Sequence, residues 1–344
     1  MKKLLIILIL FPVLSGYAQI GGQHAYDFLN LTPPARIAAL GGVNISTMDN
    51  DVTLAWQNPA LLNDSMHQHL SLSAVNYFAD IVFGYAAYSH TFENVGSFHT
   101  GIQYVGYGEF KEADEYGNIT GTFGANDLAW TIGFARNIGR FRYGTNLKLI
   151  NSNIAGFNSF AMAVDLGGSY RSADQLFSAG VVMKNLGLQL SKYTPTGERE
   201  PLPFEIQAGV SYKLKYMPMR FSATVTNLEH PKLVYVDPNP EPVFDLSGEL
   251  IEPKKQIADK IFRHFVFGTE FLLGKNIRLR AAYNHMRRQE LRSEGRSGLS
   301  GISFGLGVRV YRFYFDFGYV NYHAIGGATH FSLASNIGSW KKKE

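Results

Sequence analysis

The sequence lacks cysteine, has little charge and, beyond its first residues, contains no long hydrophobic run. None of its 344 residues is a cysteine, which excludes disulfide frameworks, thiolate zinc sites, thiol catalysis and anchoring through an acylated cysteine. Only 17% of the residues are charged, below the roughly one quarter that is usual in soluble domains. After Leu62 no apolar segment reaches the ~20 residues that a membrane-spanning helix needs. These absences argue against both a soluble enzyme and a helical membrane protein.

The first eighteen residues predict a secretory signal peptide. Lys2 and Lys3 supply a positive n-region, and residues 4–14 form an apolar core too short to span a bilayer as a permanent helix. Gly16 and Ala18 then place small residues before a cleavage site. We expect cleavage after Ala18, and a retained N-terminal anchor is the alternative. Loss of the two lysines would lower the formal net charge from +4 to +2, too little to predict a nucleic-acid partner.

Aromatic residues and glycine are abundant. Aromatic residues make up 14% of the sequence, glycine occurs 35 times, and the mean hydropathy is −0.07. A transmembrane β-barrel has this profile because only every second residue faces lipid. The composition therefore favours one large barrel over two soluble domains, which the length would also permit.

Large apolar residues alternate with small or polar ones in many segments. Residues 128–134, for example, put Leu128, Trp130, Ile132 and Phe134 on one face of a strand and small or polar side chains on the other. The pattern recurs at 141–149, 160–167, 204–214, 303–310 and 313–319. A soluble β-sandwich would also alternate, but the glycine-rich polar face and the lengths of the joins favour a barrel.

The alternating segments amount to about fourteen strands, an even number, as in single-chain bacterial barrels. Their predicted first residues are Leu70, Ile81, Ser97, Leu128, Phe141, Phe160, Phe177, Phe204, Arg220, Ile261, Ile277, Leu299, Phe313 and Gly327. The joins after even-numbered strands are tight, whereas long loops are predicted over 106–127, 186–203, 229–260 and 286–298. Such asymmetry is typical of outer-membrane barrels, whose short turns face the periplasm. The even count puts both ends of the barrel on that rim.

The segment before the first strand is not strand-like. Thr32 is placed to cap a short helix over 34–40, and a second helix could begin at Asp51 and end before Pro59. This segment is either a periplasmic extension or a plug folded into the barrel. The predicted organisation is a signal peptide over 1–18, a plug segment over 19–66, an all-β antiparallel outer-membrane barrel over 67–340 and a basic periplasmic tail over 341–344.

Several motifs resemble a known group of outer-membrane proteins. Residues 35–42 (ARIAALGG), followed by Asn58-Pro59-Ala60, resemble the opening of the long-chain fatty-acid transporter superfamily, the FadL-like barrels. A closer match is to the PorQ proteins of the type IX secretion system of Bacteroidota, which are relatives of PorV. That similarity rests on the order of the segments 23–31, 35–42, 51–62, 75–79, 184–187 and 202–204. On this resemblance the plug motif consists of Gly41, Gly42, Asn58, Pro59 and Ala60.

The resemblance implies two alternative functions. Similarity to PorQ implies a fourteen-stranded, non-enzymatic barrel that tethers PorZ in the cell-surface attachment complex. In that complex, which contains the PorU sortase and its PorV anchor, secreted cargo is joined to lipopolysaccharide. The wider superfamily implies a transporter of hydrophobic small molecules, which needs a continuous apolar pocket leading to a gap in the wall. Either protein would contact outer-membrane lipid and lipopolysaccharide.

No catalytic, cofactor or metal site is predicted, because no H-E-x-x-H motif or phosphate-binding loop occurs. His67 and His69 would share a face on a strand and could bind a metal, with a solvated rim pair as the alternative.

Two long loops are candidate docking surfaces. A proline-stiffened loop costs less entropy to order on binding, and an arginine-rich loop could either contact acidic groups of a partner or be merely solvated. The candidate partner-docking residues are Pro231, Pro238, Pro240, Pro242, Pro253, Arg287, Arg288, Arg292 and Arg296.

The alternation also turns charged residues toward the lumen. The predicted inward charges are Arg142, Lys148, Asp165, Lys184, Glu205, Lys213, Glu270, Arg278, Arg280, Arg309 and Asp316. Charge inside a narrow barrel must be paired. We therefore expect either a structural network that holds the plug and fills the lumen, or a path for polar solutes.

Overall fold

The computed structural model describes residues 24–77, 81–233, 257–291, 299–323 and 326–340. The predicted signal peptide and the predicted basic tail therefore lie outside the described residues. The same holds for the central parts of the two predicted docking loops.

Fourteen antiparallel strands of the described residues close into one barrel. Each strand pairs with its neighbours along the chain, and β1 pairs with β14 to complete the ring. The strands are β1 (His69–Asn76), β2 (Val82–Phe92), β3 (Gly96–Ala113), β4 (Ile119–Ile138), β5 (Phe141–Ile154), β6 (Phe157–Arg171), β7 (Phe177–Ser191), β8 (Glu205–Lys213), β9 (Met219–Val225), β10 (Phe265–Leu273), β11 (Ile277–Asn284), β12 (Ile302–Val310), β13 (Phe313–His323) and β14 (Gly326–Asn336). The predicted fold class is confirmed.

Helices are few and short. They are α1 (Ala35–Ala39), α2 (Leu54–Gln57), α3 (Ile257–Phe262) and α4 (His285–Glu290), with 3₁₀ turns at Asp27–Asn30, Pro59–Leu61, Asp64–Met66 and Ile337–Trp340. Among the described residues, none of the helices has both the length and the hydrophobicity of a transmembrane segment.

The alternating pattern separates an apolar outer wall from a tightly packed interior. In β4 the outward residues Leu128, Trp130 and Ile132 are 38–42% exposed, whereas Ala129 and Thr131 between them are 2% exposed. This arrangement suits a wall that faces lipid, because ring closure leaves no sheet edge with unpaired backbone groups in the wall.

The segment before β1 passes through the lumen from one rim to the other. The backbone N–H of Ala25 donates to the Pro201 carbonyl in the β7–β8 connection, on the long-loop rim, at 3.1 Å. At the opposite rim His69, the first residue of β1, pairs with Asn336, the last residue of β14. Residues 24–66 therefore run inside the barrel, and we call them the plug; the predicted bounds of the plug segment stay a prediction. The two ends of the barrel meet at the short-turn rim, as the even strand count predicts.

The predicted loop over 106–127 is wrong. β3 continues to Ala113 and β4 begins at Ile119. The outer neighbours end earlier: β2 pairs with β3 only as far as Gly106 of β3, and β5 pairs with β4 only from Ala125 of β4 onward. Residues 107–113 and 119–124 thus form a two-stranded extension beyond the wall, which we call the β3–β4 ribbon. Both faces of the ribbon are largely exposed. Its sequence therefore does not alternate, and this is why the pattern missed it.

Two smaller expectations also need correction. The strand predicted from Ile261 begins at Phe265, because residues up to Phe262 form α3. Thr32 does not cap α1; its hydroxyl instead donates to the Gly42 carbonyl at 2.8 Å, so it ties the two ends of the α1 segment together.

We predict that arginine substitutions on the outer wall will have an effect that depends on depth. Ile132→Arg lies midway along the barrel part of β4, where a charge in lipid costs about 2–4 kcal/mol. Ile138→Arg lies at the end of β4 and should cost at most about 1 kcal/mol. Urea unfolding of the protein folded into lipid vesicles measures both. Equal losses for the two variants would contradict a lipid-facing band.

Candidate functional site

Helix α1 lies directly against the inner wall, where two glycines leave room for it. A Cβ at Gly318 would come 2.5 Å from the Ala35 carbonyl oxygen, and a Cβ at Gly305 would overlap the Ala39 methyl group. The helix is also held at its start, where the Ala35 N–H donates to the Ser332 hydroxyl at 2.9 Å. In the sequence these glycines belong to the polar face of β12 and β13. In the structure they form the surface on which α1 of the plug packs.

Arg36 of α1 is the centre of a buried ionic cluster. Its guanidinium is 2% exposed and contacts Asp49 at 2.6 Å, Asp51 at 3.1 Å and Glu270 of β10 at 3.1 Å. Burial by itself would raise the pKa of the Asp49 carboxyl, but Arg36 and then Arg220 outweigh burial and hold that pKa well below its usual range. Asp49 is therefore a carboxylate at neutral pH, and the plug contributes both signs of charge.

The barrel wall completes this cluster. Arg220 of β9 contacts Asp49 at 3.1 Å and Glu270 at 3.0 Å, and Arg280 of β11 bonds Glu270 at 3.1 Å as well as Asp316 of β13. We call the seven side chains the plug cluster; they are Arg36, Asp49, Asp51, Arg220, Glu270, Arg280 and Asp316. Buried charges are tolerated only when they are paired and hydrogen-bonded, and this cluster pairs three guanidiniums with four carboxylates.

Asn58 packs against the wall on the side of the plug that faces β6 and β7. Its side chain is fully buried, donates to the Ile45 carbonyl at 3.0 Å and accepts from the Ala60 N–H at 3.0 Å. Asn58 Oδ1 lies where a Cβ of Gly167 would be, and the Ile45 carbonyl lies where a Cβ of Gly180 would be. The Asn58-Pro59-Ala60 motif is thus a turn pressed against β6 and β7.

The two glycines of the plug motif end α1 at the wall. Gly41 and Gly42 have φ values of +90° and +91°, a left-handed conformation that glycine adopts without strain. A Cβ at Gly41 would overlap Val266 of β10, and one at Gly42 would lie 2.8 Å from Nη2 of Arg287. The structure therefore places Gly41, Gly42, Asn58, Pro59 and Ala60 at contacts between plug and wall, and their role as a family motif stays a prediction.

Other predicted inward charges are paired deep in the lumen. Lys148 contacts Asp165 at 2.8 Å and donates to Asn185 at 2.7 Å, and both ions of this pair are fully buried. Lys184 lies 5.1 Å from the ring centroid of Trp56 on α2, a cation–π geometry. By contrast, Lys213 and Arg309 lie near the ends of their strands and are exposed. The buried charges follow the expectation of a network that fills the lumen.

Two of the cavities lie on opposite sides of one part of the wall. The inner cavity, between the plug and β1, β11, β13 and β14, has a volume of about 20 Å³ and is lined by Arg36, Asp51 and Arg278 among others. This space is enough for about one water molecule. The outer pocket, of about 410 Å³, is lined mainly by the outward side chains Leu72, Leu306, Val308, Phe315, Phe317, Phe331 and Leu333. Asp316 and Ser332 border both.

The predicted docking residues are only partly described. Pro231 is exposed at the start of the β9–β10 connection, whereas Pro238, Pro240, Pro242, Pro253, Arg292 and Arg296 lie outside the described residues. Arg287 and Arg288 belong to α4, and the guanidinium of Arg287 points to Gly42 of the plug. Docking by these residues stays a prediction. In the described part of the chain, no three His, Asp or Glu side chains are grouped to hold a metal ion.

Sequence reasoning found three of the four wall residues of the plug cluster, but it missed Arg220 of β9 and the residues of the plug. Glu270, Arg280 and Asp316 stand out as inward charges in alternating strands. Arg36, Asp49 and Asp51 lie in a segment without periodicity, so no pattern assigns them a direction. A usable signal was the need of buried wall charges for partners, since the plug supplies one arginine and two aspartates within sixteen residues.

Solved structures with a similar fold include one described as a toluene transporter and one described as a FadL homologue. The toluene transporter TodX of Pseudomonas putida is 12% identical, with a TM-score of 0.52 over 88% of this chain and 96% of that one. A FadL homologue of Pseudomonas aeruginosa is 11% identical, with a TM-score of 0.50 over 88% and 97% of the two chains. No protein-family model and no curated protein matches the sequence. At these identities the comparison supports the fold alone, a closed antiparallel β-barrel, and the similarities to the FadL-like superfamily and to PorQ stay predictions.

We predict that Arg36→Met will loosen the plug. Removing one partner from a buried ionic cluster leaves carboxylates uncompensated and costs about 3–5 kcal/mol. Limited proteolysis should then cut the plug in the variant but not in the unmodified protein, and urea unfolding should show the lost stability. Arg140→Met is the matched control, because Arg140 is exposed on the short-turn rim and should change neither. Equal behaviour of the two variants would show that the cluster does not hold the plug.

Proposed function

We propose that the protein is a non-enzymatic outer-membrane barrel that passes small hydrophobic molecules, with the plug as its movable seal. The observation that carries this proposal is the FadL-like fold, shared with proteins described as a toluene transporter and a FadL homologue. The apolar pocket on the outer wall supports it as well, because a pocket of about 410 Å³ is within the size range of small-molecule sites.

The two cavities indicate which part of the structure would have to move for a molecule to pass. The inner cavity is polar and nearly filled, so an apolar molecule can enter the lumen only after the plug shifts. The outer pocket begins on the far side of Asp316 and Ser332, where an apolar molecule would be surrounded by phenylalanine and leucine side chains. Transport would therefore need displacement of residues on α1 or of the strands that face it.

A disulfide between plug and wall tests this proposal. The hydroxyls of Ser46 in the plug and Ser211 in β8 lie 2.7 Å apart, and the absence of native cysteine makes Ser46→Cys/Ser211→Cys a unique pair. Uptake of toluene by cells or vesicles that carry the protein should fall on oxidation of the pair and return on reduction. The single variant Ser46→Cys is the control and should not respond. Uptake that is the same with and without the protein would refute transport.

A second candidate function is favoured by the filled lumen and by the sequence motifs. We propose, as the alternative, that the barrel is a docking component of a type IX secretion attachment complex and that it binds PorZ near PorU and PorV. The plug cluster supports this role because it keeps the barrel closed and rigid, and a docking protein must hold its binding surface in a fixed position. The β3–β4 ribbon and the exposed start of the Pro231 loop provide surfaces on the long-loop rim.

Deletion of the gene distinguishes the two functions. If docking is correct, cells that lack the protein should fail to attach secreted cargo to lipopolysaccharide, and the oxidised Ser46→Cys/Ser211→Cys variant should restore attachment, since docking requires no movement of the plug. If transport is correct, attachment should be unchanged and toluene uptake reduced. Loss of neither activity would reject both proposals.

A further inference from the structure

The β3–β4 ribbon projects beyond the wall of the barrel. Within the described residues neither edge of the ribbon has a partner strand. β2 pairs with β3 only as far as Gly106 of β3, and β5 pairs with β4 only from Ala125 of β4 onward. A two-stranded ribbon on its own is marginally stable in water, and a free edge is a template for another strand. Stacking of Phe110 on Phe123, with ring centroids 5.3 Å apart, holds the two strands together.

The ribbon combines exposed apolar side chains with negative charge. Tyr116 is 90% exposed and Ile119 is 63% exposed. Between Tyr107 and Gly124, four carboxylates and one lysine give a net charge of −3. A second copy of the ribbon would be repelled by this charge, whereas a basic strand would be attracted. The charge therefore selects a different protein as the partner.

The backbone of β4 offers the edge on which such a strand could pair. The Gly124 carbonyl accepts a hydrogen bond from the Ala155 N–H on the β5 side at 3.1 Å. Because backbone groups of alternate residues point to the same side of a strand, the N–H and C=O of Thr122 point to that side too. At the level of Thr122, however, β5 has already turned into β6.

We propose that this edge, residues 119–123, docks a basic edge strand of a partner protein on the long-loop rim. The partner would extend the ribbon to three strands by backbone hydrogen bonds. Glu109 and Glu112 lie on opposite faces of the neighbouring strand, so one of them would attract lysines or arginines on whichever face the partner strand presents them. The proposal deepens the docking function, on which its biological meaning rests, and it does not involve the plug or the lumen.

Peptide binding to the purified full-length protein tests the charge preference. The probe is a fluorescent strand-forming peptide of alternating lysine and valine, with an alternating glutamate and valine peptide as its counterpart. We expect binding of the lysine peptide only, and about tenfold or more weaker binding to Glu109→Lys/Glu112→Lys. Glu198→Lys/Glu200→Lys reverses two exposed charges on the same rim and should bind like the unmodified protein. Equal weakening by both double variants would overturn the proposal.

A proline substitution tests edge pairing separately from charge. Thr122→Pro removes an N–H that points away from β3, so it leaves the β3–β4 ladder intact but blocks pairing with a new strand. Thr122→Ala keeps the N–H and is the matched control. We expect the lysine peptide to bind Thr122→Ala normally and Thr122→Pro about tenfold more weakly. Equal binding by the two variants would mean that the ribbon attracts the peptide by charge alone, which overturns edge pairing.

Failure of this inference can be told apart from failure of the docking function. If deletion of the whole protein abolishes cargo attachment but Thr122→Pro supports it fully, docking stands and the ribbon is not the site. If Thr122→Pro and Glu109→Lys/Glu112→Lys both impair attachment while their controls do not, the ribbon is supported as the site. If deletion leaves attachment intact, the docking function fails, whereas the peptide measurements still decide whether the edge binds a basic strand.

Discussion

Closure of the backbone hydrogen-bond ladder between β1 and β14 is the constraint on which the rest of the structure depends. An open sheet of this length would leave the N–H and C=O groups of two edges unpaired, and each such group costs several kcal/mol in hydrocarbon. The eight residue pairs from His69–Asn336 to Asn76–Thr329 remove these edges. Once the ring is closed, every strand has a defined inner face, and the plug has a fixed surface against which to pack.

The closed ring explains why the lumen contains so much charge. A barrel of fourteen strands is wider than the eight-stranded barrels whose own side chains fill the interior, and here a separate segment occupies the lumen. Both this segment and the inner wall carry charged side chains that are buried in the lumen. The plug cluster and the Lys148–Asp165 pair keep these charges compensated, because charges that are solvated in the unfolded chain pair with one another in the folded one. Glycine on the inner faces of β6, β7, β12 and β13 supplies the space.

The sequence predicts the wall well and the plug poorly, for a physical reason. Ten of the fourteen predicted strand starts differ from the observed ones by no more than one residue, as at Phe141, Phe177, Ile277 and Phe313, because one face of each strand meets an apolar phase and the other the lumen. Where a strand leaves that two-sided environment the pattern disappears, as in the β3–β4 ribbon. In the plug all faces are buried, so residues such as Arg36 and Asn58 carry no periodic signal. Their partners are known only when the chain is folded.

The strength of the plug cluster sets what either function would require. Shifting a two-state seal from 1:99 to 99:1 needs about 5.5 kcal/mol of differential binding. A small apolar molecule can supply at most about 1.5 kcal/mol per non-hydrogen atom, so toluene, with its seven carbon atoms, could supply at most about 10 kcal/mol and would use about half of this to move the seal. Its net binding to the protein would be weakened by that amount, which suits passage rather than storage. A docking platform makes the opposite demand, since each loosened ion pair in the plug cluster would lower the stability of the ring that presents the ribbon. Arg36 is therefore the residue at which the two functions conflict: transport needs its contacts to break and re-form, and docking needs them to last.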